Sequence, residues 1–452
     1  MRMFRSAALS IDKSVARAAD LFDFSRGRIP PGTLTAALWP GLVRSLVRQF
    51  SQGVAGVTGT NGKHTTCRIL AAILQQADAR TLYPEDIAPS LDEVVSTLVR
   101  ATDHRGRIHA DYGVFGFETG TLDRAIRVCN PGTLVLNNLY DDESAQGVDR
   151  AALIGKWCDW FGTMTARQHI LVNADDPVLC GGFTQGVPPR LTYYGVEDER
   201  LHLADAASPE VPCPRCGVPL AYRITSLAHL GDYACEGCGW ERPLPTVYAI
   251  DVDLGPDETN FRLITPRGPL DVRLRLSGLH NVYNAAAAAA AALSLGLSPV
   301  TIRKGLESVR STGGRDERVV IHDREARLMT IKNRTSFLEA LRTCQLDRHR
   351  GHFLFLLDEA VRGGRNAPWI VDEDLEGMVN FSRSVHVAGA GGAHLALMDE
   401  QIDAEDMASA VDVSDVFHDI MRRLTPGDRL WVLATEGAMY AVRRELRDMG
   451  II

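Results

Sequence analysis

The sequence lacks any long apolar run. No window approaches the roughly 18 uninterrupted apolar residues that a bilayer-spanning helix needs, so we expect no membrane span. The opening segment, MRMFRSAALSIDKSVARAAD, contains basic residues but no continuous apolar core, because Asp12 and Lys13 interrupt it. This is not the pattern of a secretory signal peptide, so the expected location is cytoplasmic.

An excess of positive charge is also missing. The chain has 49 Lys and Arg against 57 Asp and Glu, a net charge of −8, so we expect no nucleic-acid surface. A disulfide framework is not expected either, since nine cysteines occur without a secretory signal. Five of these cysteines are scattered and are interpreted as inert core residues: Cys67, Cys129, Cys158, Cys180 and Cys344.

What is present is the composition of a globular protein of two or three domains. Its 452 residues are 45% hydrophobic and 23% charged, and a chain of this length usually forms more than one core. We predict a helical lead-in over residues 1–50, an α/β domain over 51–310 and a second α/β domain over 311–452. In both domains strand-like runs alternate with helical stretches, the pattern of a parallel sheet covered by helices. The clearest runs are VAGVTG, YGVFGFE, GTLVLNN and HILVNA in the first domain, and ARLMTIKN, GHFLFLLDE, RSVHVAG and DRLWVLAT in the second.

The segment GVTGTNGKHTT at 56–66 has the features of a phosphate-binding loop. An apolar strand enters a glycine turn and a helical pattern follows, which aims backbone N–H groups and the positive end of a helix dipole at phosphate oxygens. The alternative is an ordinary strand–helix turn, which rarely carries this glycine–lysine pattern. The predicted nucleotide contacts are Thr58, Gly59, Thr60, Asn61, Gly62 and Lys63, with the lysine reaching the outer phosphates.

A histidine stands at position 64, where such loops normally have a hydroxyl that binds magnesium. Imidazole is a poor ligand for this hard ion. Three alternatives remain: Thr65 or Thr66 replaces the hydroxyl, carboxylates and water hold the metal, or His64 points aside. Glu118, at the end of the run YGVFGFE, is the predicted carboxylate ligand, and a solvated strand end is the equally weighted alternative.

Four further cysteines form two pairs with the spacing of a metal site. They are Cys213, Cys216, Cys235 and Cys238, in the pattern C-x2-C-x18-C-x2-C, with a glycine after each pair. Two such turns supply the four thiolates of a closed, tetrahedral zinc site. Because protein ligands fill all four coordination positions, the predicted role is structural. The zinc ribbon would stabilise an insertion at about 205–245.

Two other segments carry amide and carboxylate side chains. NADDP at 173–177 ends a strand-like run and is either a polar turn or a set of nucleotide contacts. HNVYN at 280–284 begins an alanine-rich helix that we predict over 281–296. Asn281 and Asn284 are three residues apart and share a helix face, and they are either nucleotide contacts or helix caps.

Taken together, TGTNGK, Glu118, LVNADDP, HNVYN and GRDER resemble, in order and spacing, the motifs of the Mur ligase family, the ATP-dependent ligases of cell-wall precursor synthesis. The cysteine ribbon, IKNRTSF at 331–337 and WIVDEDLE at 369–376 resemble the MurT branch, the synthetase subunits of lipid II isoglutaminyl synthase. The resemblance covers nearly the whole chain. It implies a central P-loop domain with a parallel sheet and an inserted zinc ribbon, followed by a second α/β domain. It also implies ATP and Mg²⁺ as cofactors and Arg315 as a further nucleotide contact.

The resemblance implies a reaction as well. ATP would phosphorylate the α-carboxylate of the stem-peptide glutamate in lipid II, and ammonia would displace phosphate from the acyl phosphate to leave isoglutamine. Lys63 and Glu118 would be catalytic residues of this reaction. Ammonia would come from a glutaminase subunit resembling GatD, bound in a heterodimer. The lipid-linked substrate would bring the complex to the membrane surface.

The MurT branch also contributes an acidic residue that orients the catalytic histidine of the partner. In this sequence the corresponding position, before the tryptophan of WIVDEDLE, is Asn366. Asparagine can orient a histidine but cannot stabilise an imidazolium by charge. Asp372 is the second candidate, with Asp374 behind it, and a charged turn is the alternative for both.

Departures from the family at His64, at Gly120-Thr121 and at Asn366 keep two other functions open. One is a Mur-type ligase that joins an amino acid to a carboxylate. The other is a nucleotide-binding scaffold that has lost turnover. Retention of Lys63 and Glu118 argues against the scaffold, because a retired site usually loses such residues first. The second α/β domain argues against the amino-acid ligase, which needs no surface for a glutaminase.

Overall fold

The computed structural model describes residues 40–84, 91–140, 150–184, 188–202, 210–311, 315–347, 351–357, 382–389, 402–404 and 413–452. They divide into two compact units. The first contains the described residues up to Val252 together with Asn260–Arg273 and His280–Val309. The second contains Asp253–Thr259, Leu274–Leu279 and the described residues from Arg310 onwards. Within these ranges, no helix has the length and apolar character required to cross a bilayer.

The first unit contains a large sheet, a small hairpin and the helices around them. The strands are β1 (Gly53–Thr58), β2 (Thr81–Leu82), β3 (Tyr112–Phe117), β4 (Thr133–Leu136), β5 (His169–Asn173), β6 (Leu191–Val196), β7 (Ala221–Leu227), β8 (Leu230–Ala234), β9 (Val247–Leu254), β10 (Thr259–Ile264) and β11 (Leu270–Leu274). The helices are α1 (Pro40–Val47), α2 (Lys63–Gln75), α3 (Leu91–Arg100), α4 (Leu122–Cys129), α5 (Arg150–Phe161), α6 (Pro177–Gly181), α7 (Leu279–Ser294) and α8 (Pro299–Ser308).

The large sheet has nine strands in the order β11-β10-β9-β6-β5-β4-β1-β3-β2. From β2 across to β9, neighbouring strands run parallel. Parallel pairing requires crossover connections, which helices supply from β1 to β6, and in the described residues between β6 and β9 the chain passes through the β7–β8 hairpin. The predicted parallel sheet is therefore confirmed. Because β1, β3, β4 and β5 are parallel and adjacent, the segments that follow them meet at one edge of the sheet.

The helices of the first unit bury small or apolar faces. In α1, Leu42 and Leu46 are at most 1% exposed. The alanine run 285–292 of α7 is at most 2% exposed throughout, because side chains of this size let a helix lie close to its neighbours. At Gly305 of α8, an added Cβ would lie 2.5 Å from the Ile73 Cα of α2. Alanine and glycine residues therefore let these helices pack closely in the unit that contains the phosphate loop.

The cysteine-containing insertion folds as a small antiparallel hairpin of β7 and β8. We call its described residues 210–242 the ribbon. Its Tyr233 and Trp240 rings lie 5.2 Å apart. Both are buried in the core of the first unit, as are Cys213 and Cys235. The ribbon is thus packed against the sheet domain rather than extended into solvent.

The second unit contains another α/β layer structure. Its strands are β12 (Arg315–Ile321), β13 (Arg324–Thr330), β14 (His352–Leu356), β15 (Ser384–Ala388), β16 (Ile402–Ala404) and β17 (Arg429–Ala434). Its helices are α9 (Arg334–Gln345), α10 (Val413–Arg423) and α11 (Glu436–Asp448). The strand order is β12-β13-β17-β14-β15-β16, with β12 antiparallel to β13 and the other pairs parallel.

Both faces of this second sheet are covered. Successive residues of β14 alternate between two cores, as strand geometry requires. Phe353 packs in a cluster with Phe337 of α9, and Leu354 packs in a cluster with Phe417 of α10. The predicted second α/β fold is confirmed.

Candidate functional site

A tight turn joins β1 to α2 and contains the predicted phosphate loop, residues 59–62. β1 ends at Thr58 and α2 begins at Lys63. Gly62 has a φ of 85°, and a Cβ added there would lie 2.2 Å from Asn284 Oδ1. Glycine alone combines this left-handed backbone with so close a neighbour. The turn therefore leads directly into the N-terminus of α2, where the helix dipole favours an anion.

Asn138, which follows β4, holds the shape of the phosphate loop. Its carbonyl oxygen accepts the Thr60 N–H (2.9 Å), and its Oδ1 accepts the Asn61 N–H (2.8 Å). Its amide nitrogen donates to the Asn61 carbonyl (3.2 Å), and the Tyr140 N–H donates to Thr60 Oγ1 (3.0 Å). The N–H groups of Thr60 and Asn61 are thus engaged within the protein, and the loop conformation is set by the segment after β4.

The Lys63 side chain folds back over the phosphate loop. Its Nζ donates to the Gly59 carbonyl oxygen and to the Thr60 carbonyl oxygen, the latter at 3.1 Å. The ammonium group therefore lies across the loop at the N-terminus of α2. A positive charge held there suits the outer phosphates of a nucleotide.

A buried cluster of polar side chains, which we call the asparagine cluster, joins α2 to the segment after β4 and to α7. Its members are Thr66, Asn137, Asn281 and Asn284. Thr66 Oγ1 donates to Asn284 Oδ1 (3.2 Å) and accepts from Asn137 Nδ2 (3.0 Å). Asn284 Nδ2 in turn donates to Asn281 Oδ1 (3.1 Å). The two asparagines of α7 thus lie on one face and support the helix that follows the loop.

Asn137 and Asn138 are functional candidates that the sequence interpretation missed. Both follow β4 in the run GTLVLNN, which was assigned only as a strand. A signal was available, because two amide side chains directly after a parallel strand lie at the edge where the neighbouring strand ends.

Glu118 follows β3 beside the phosphate loop. Its predecessor Phe117 pairs with Thr58 of β1, and Thr58 Oγ1 donates to the Phe117 carbonyl oxygen (2.9 Å). Glu118 is exposed to solvent. Its carboxylate is a ligand type that magnesium prefers, so the residues at this edge fit the ion.

The residues after Lys63 bear on the missing magnesium hydroxyl. His64 is half-buried, and its carbonyl oxygen accepts a hydrogen bond from the Tyr83 hydroxyl (3.3 Å). Thr66 is fully buried and its hydroxyl belongs to the asparagine cluster. Thr65 is 9% exposed. Of the two threonines proposed to replace the hydroxyl, Thr65 is thus the better candidate.

Asp175 and Asp176, which follow β5, are buried and bind protein groups. Asp175 accepts hydrogen bonds from Arg242 Nε (2.8 Å) and from the Tyr283 hydroxyl (2.6 Å). Burial raises the pKa of Asp175, and the Arg242 charge opposes that rise. Asp176 caps α6 and accepts the Leu139 N–H (2.7 Å). These contacts favour an internal polar turn over direct nucleotide contacts for NADDP.

The four ribbon cysteines bring their sulfur atoms together. All four Sγ atoms lie within 4.8 Å of one another. Cys213 and Cys238 are 3.7 Å apart, and Cys216 and Cys235 are 3.4 Å apart. Tetrahedral zinc with Zn–S bonds of about 2.3 Å separates its sulfurs by about 3.8 Å. The geometry and the thiol chemistry therefore both fit a zinc ion.

The remaining predicted site residues lie in the second half of the chain. Arg315 is the first residue of β12, in the second unit. Asn366 and Asp372, the two candidates for completing the partner's triad, lie outside the described residues, as does Asp374. The described site thus consists of the phosphate loop, Glu118, the asparagine cluster and the ribbon.

Comparison with known proteins gives the following similarities. No protein-family model matches the chain. MurT, a subunit of lipid II isoglutaminyl synthase (glutamine-hydrolysing) from Streptococcus pneumoniae, is 24% identical over 433 residues, which cover 94% of this chain and 94% of that protein. UDP-N-acetylmuramoyl-L-alanyl-D-glutamate–2,6-diaminopimelate ligase from Bacillus licheniformis is 25% identical over 294 residues, 58% of this chain and 48% of that protein. The solved structure of a pseudomurein peptide ligase type C from Methanothermus fervidus superposes with a TM-score of 0.67 at 22% identity, covering 88% of this chain and 78% of that one.

These similarities agree with the sequence-based expectations. The resemblance to the Mur ligase family, and within it to MurT, is confirmed by the relative that matches over nearly the full length of both chains. The α/β fold class is confirmed by the structural similarity. The two sequence relatives are named as a synthase subunit and as a ligase, so the predicted ligase class is confirmed at that level.

Proposed function

We propose that this chain is the synthetase subunit of an amidating ligase that converts the α-carboxylate of the stem-peptide glutamate in lipid II to the amide of isoglutamine. The observation that carries the proposal is the glycine–lysine geometry of the phosphate loop, which is retained although His64 replaces the usual hydroxyl. Gly62 leads into the N-terminus of α2, Lys63 lies across the loop, and Glu118 follows the neighbouring strand. A scaffold that had lost turnover would have no need to retain a lysine and a carboxylate at this edge.

The extent of the sequence similarity supports amidation over amino-acid addition. Similarity to MurT covers 94% of this chain and so includes both compact units. Similarity to the diaminopimelate ligase covers 58% of it.

In the first step, an oxygen of the glutamate α-carboxylate attacks the γ-phosphorus of ATP, an acyl phosphate forms and ADP leaves. Lys63 and the N-terminus of α2 hold the phosphates and stabilise the negative charge of the transferring group. Magnesium, when bound, supplies further charge neutralisation, and Glu118 would hold it together with Thr65 and water.

In the second step, the nitrogen of ammonia attacks the carbonyl carbon of the acyl phosphate. Phosphate leaves with one oxygen of the original carboxylate, and the nitrogen loses a proton to become the amide. Ammonia would come from a glutaminase subunit resembling GatD, in a heterodimer. Asn366 or Asp372 would orient the catalytic histidine of that subunit, and the ribbon would hold a structural zinc ion. The enzyme would work in the cytoplasm and meet its lipid-linked substrate at the membrane surface.

The test is phosphate release from ATP with magnesium, a lipid II analogue and ammonium chloride. We expect release to require both the analogue and ammonium, and to be lost in Lys63→Ala. With the wild-type protein, a glutaminase subunit and glutamine should support phosphate release in place of ammonium. If release follows added amino acids and ignores ammonium, the amino-acid ligase is the correct function. ATP binding without phosphate release under any of these conditions would favour a nucleotide-binding scaffold that has lost turnover.

A further inference from the structure

Two consecutive aspartates lie between the ribbon and the phosphate loop. Asp175 and Asp176 are 1% and 0% exposed, respectively. Neither has a role in the reaction proposed above. Each receives a contact from the ribbon on one side. On the other side, each contacts a segment that shapes the loop.

Asp175 connects the ribbon to α7. Arg242, four residues after Cys238, donates from Nε and from Nη2 to Asp175 Oδ1, at 2.8 and 2.5 Å. The Tyr283 hydroxyl of α7 donates to Asp175 Oδ2 (2.6 Å) and lies 2.7 Å from Ser226 Oγ of β7. The start of α7 is thus held by the ribbon through a fully buried carboxylate.

The start of α7 in turn contacts the phosphate loop. Asn284, the residue after Tyr283, accepts the Thr66 hydroxyl (3.2 Å) in the helix that follows the loop. Its Oδ1 also lies 2.2 Å from the position that a Gly62 Cβ would take. A shift of α7 at this point would therefore move the side chain against which the loop is packed.

Asp176 makes a second connection. His229, between β7 and β8 of the ribbon, has its Nε2 3.3 Å from Asp176 Oδ1, and its ring packs edge-on against Tyr140 at 5.2 Å. Asp176 Oδ2 accepts the Leu139 N–H (2.7 Å). Leu139 and Tyr140 follow directly after Asn138, which holds the loop. The ribbon thus contacts the segments on both sides of the loop, through hydrogen bonds at Asp175 and through packing of His229.

We propose that the ribbon positions the phosphate loop, with Arg242 as the positioning residue that acts through Asp175. Under this proposal the ribbon sets nucleotide affinity in addition to stabilising the fold. It rests on the proposed nucleotide site in the loop. Arg242, Asp175 and Tyr283 form one hydrogen-bonded chain, whose members are energetically coupled. Tyr283 is followed in α7 by Asn284, which packs on Gly62, so we expect a change at Arg242 to alter the loop.

The experiment compares Arg242→Lys with Arg223→Lys in the full-length protein. Arg223 is on β7 of the same ribbon, but its side chain is 74% exposed and pairs with Asp232 at the surface, so its substitution serves as the matched control. ADP affinity is measured by calorimetry and bound zinc by elemental analysis. We expect Arg242→Lys to bind ADP about tenfold more weakly with its zinc retained, in line with coupling inside one network, and Arg223→Lys to match wild type.

A second variant keeps the test decisive if Arg242→Lys does not fold. Tyr283→Phe removes one hydroxyl from the same network and leaves every ribbon residue in place. We expect weaker ADP binding here too, together with faster hydrogen exchange of the amides in residues 59–66 of the ligand-free protein. ADP affinity within twofold of wild type and unchanged exchange, with zinc retained, would overturn the proposal.

The two proposals fail in different ways. If wild type binds no ADP, the proposed nucleotide site is wrong, and hydrogen exchange of residues 59–66 still decides whether the ribbon positions the loop. If wild type binds ADP and the variants bind it equally well, the nucleotide site stands and the coupling is wrong.

Discussion

The phosphate loop and the ribbon are both tight turns of the first unit, yet they are built in different ways. The ribbon takes its four sulfur ligands from two copies of one local pattern within 26 residues of chain, Cys213 to Cys238. The loop is contacted by Asn138 and Asn284, which come from distant parts of the chain. Changes at the ribbon cysteines should therefore reduce stability first, whereas changes in the loop should reduce nucleotide binding and turnover first.

The largest effect is expected at a ribbon cysteine. Cys213→Ser removes one of four ligands, so zinc binding should be lost and the free energy of unfolding of the first unit should fall by about 4 kcal/mol or more. Zinc analysis and denaturant unfolding measure both. Cys158→Ser, at a half-buried cysteine elsewhere, is the control and should keep its zinc. Full stability of Cys213→Ser would show that the ribbon needs no metal.

The next largest effect is expected at the loop lysine. Lys63→Ala should reduce turnover about 100- to 1,000-fold, because a positive charge that stabilises the transferring phosphoryl group is lost. Its unfolding free energy should stay close to that of wild type. Lys156→Ala, at an exposed lysine of α5, controls for loss of charge. A Lys63→Ala variant that is destabilised as strongly as Cys213→Ser would remove the contrast between the two turns.

A moderate effect is expected at Asn138. Asn138→Ala leaves the Asn61 N–H without its side-chain acceptor and frees the loop, so ADP affinity should fall by about 5- to 50-fold. Calorimetry measures the change, and Asn260→Ala on the exposed side of β10 is the matched control. An unchanged affinity would mean that the loop holds its shape without the segment after β4.

The smallest effect concerns pH and depends on His169, the first residue of β5, the strand that leads to Asp175 and Asp176. Burial, with Arg190 nearby, lowers the pKa of His169 to about 4 from an ordinary value of 6.5. The unfolded chain therefore takes up this proton more readily than the folded one. The contribution of neutral His169 to the free energy of unfolding is therefore complete above about pH 6.5 and is lost as pH falls towards about 4. The free energy of unfolding of His169→Gln should depend less on pH than that of wild type in this window. An equal dependence would contradict the lowered pKa of His169.

The local parts of the structure could be predicted from the sequence. Glycine spacing, Lys63 and the four cysteines lie within short stretches whose chemistry depends on neighbours in the chain, and the strand-like runs correspond to the observed β-strands. Asn138 and Arg242 could not be predicted in this way. Their partners are 77 and 67 residues away, and a single asparagine or arginine carries no pattern that identifies such a partner. Sheet order and the hairpin packing bring these pairs together, and neither follows from local spacing.

The most direct test of the proposed amidation is to follow nitrogen into the product. The full-length protein is given ATP, magnesium, a lipid II analogue, isotopically labelled ammonium and a mixture of amino acids, and the stem peptide is analysed by mass spectrometry. We expect the α-carboxyl group of the stem-peptide glutamate to become an amide that contains the labelled nitrogen, with no amino acid added. A stem peptide extended by an amino acid, with no label in an amide, would contradict it.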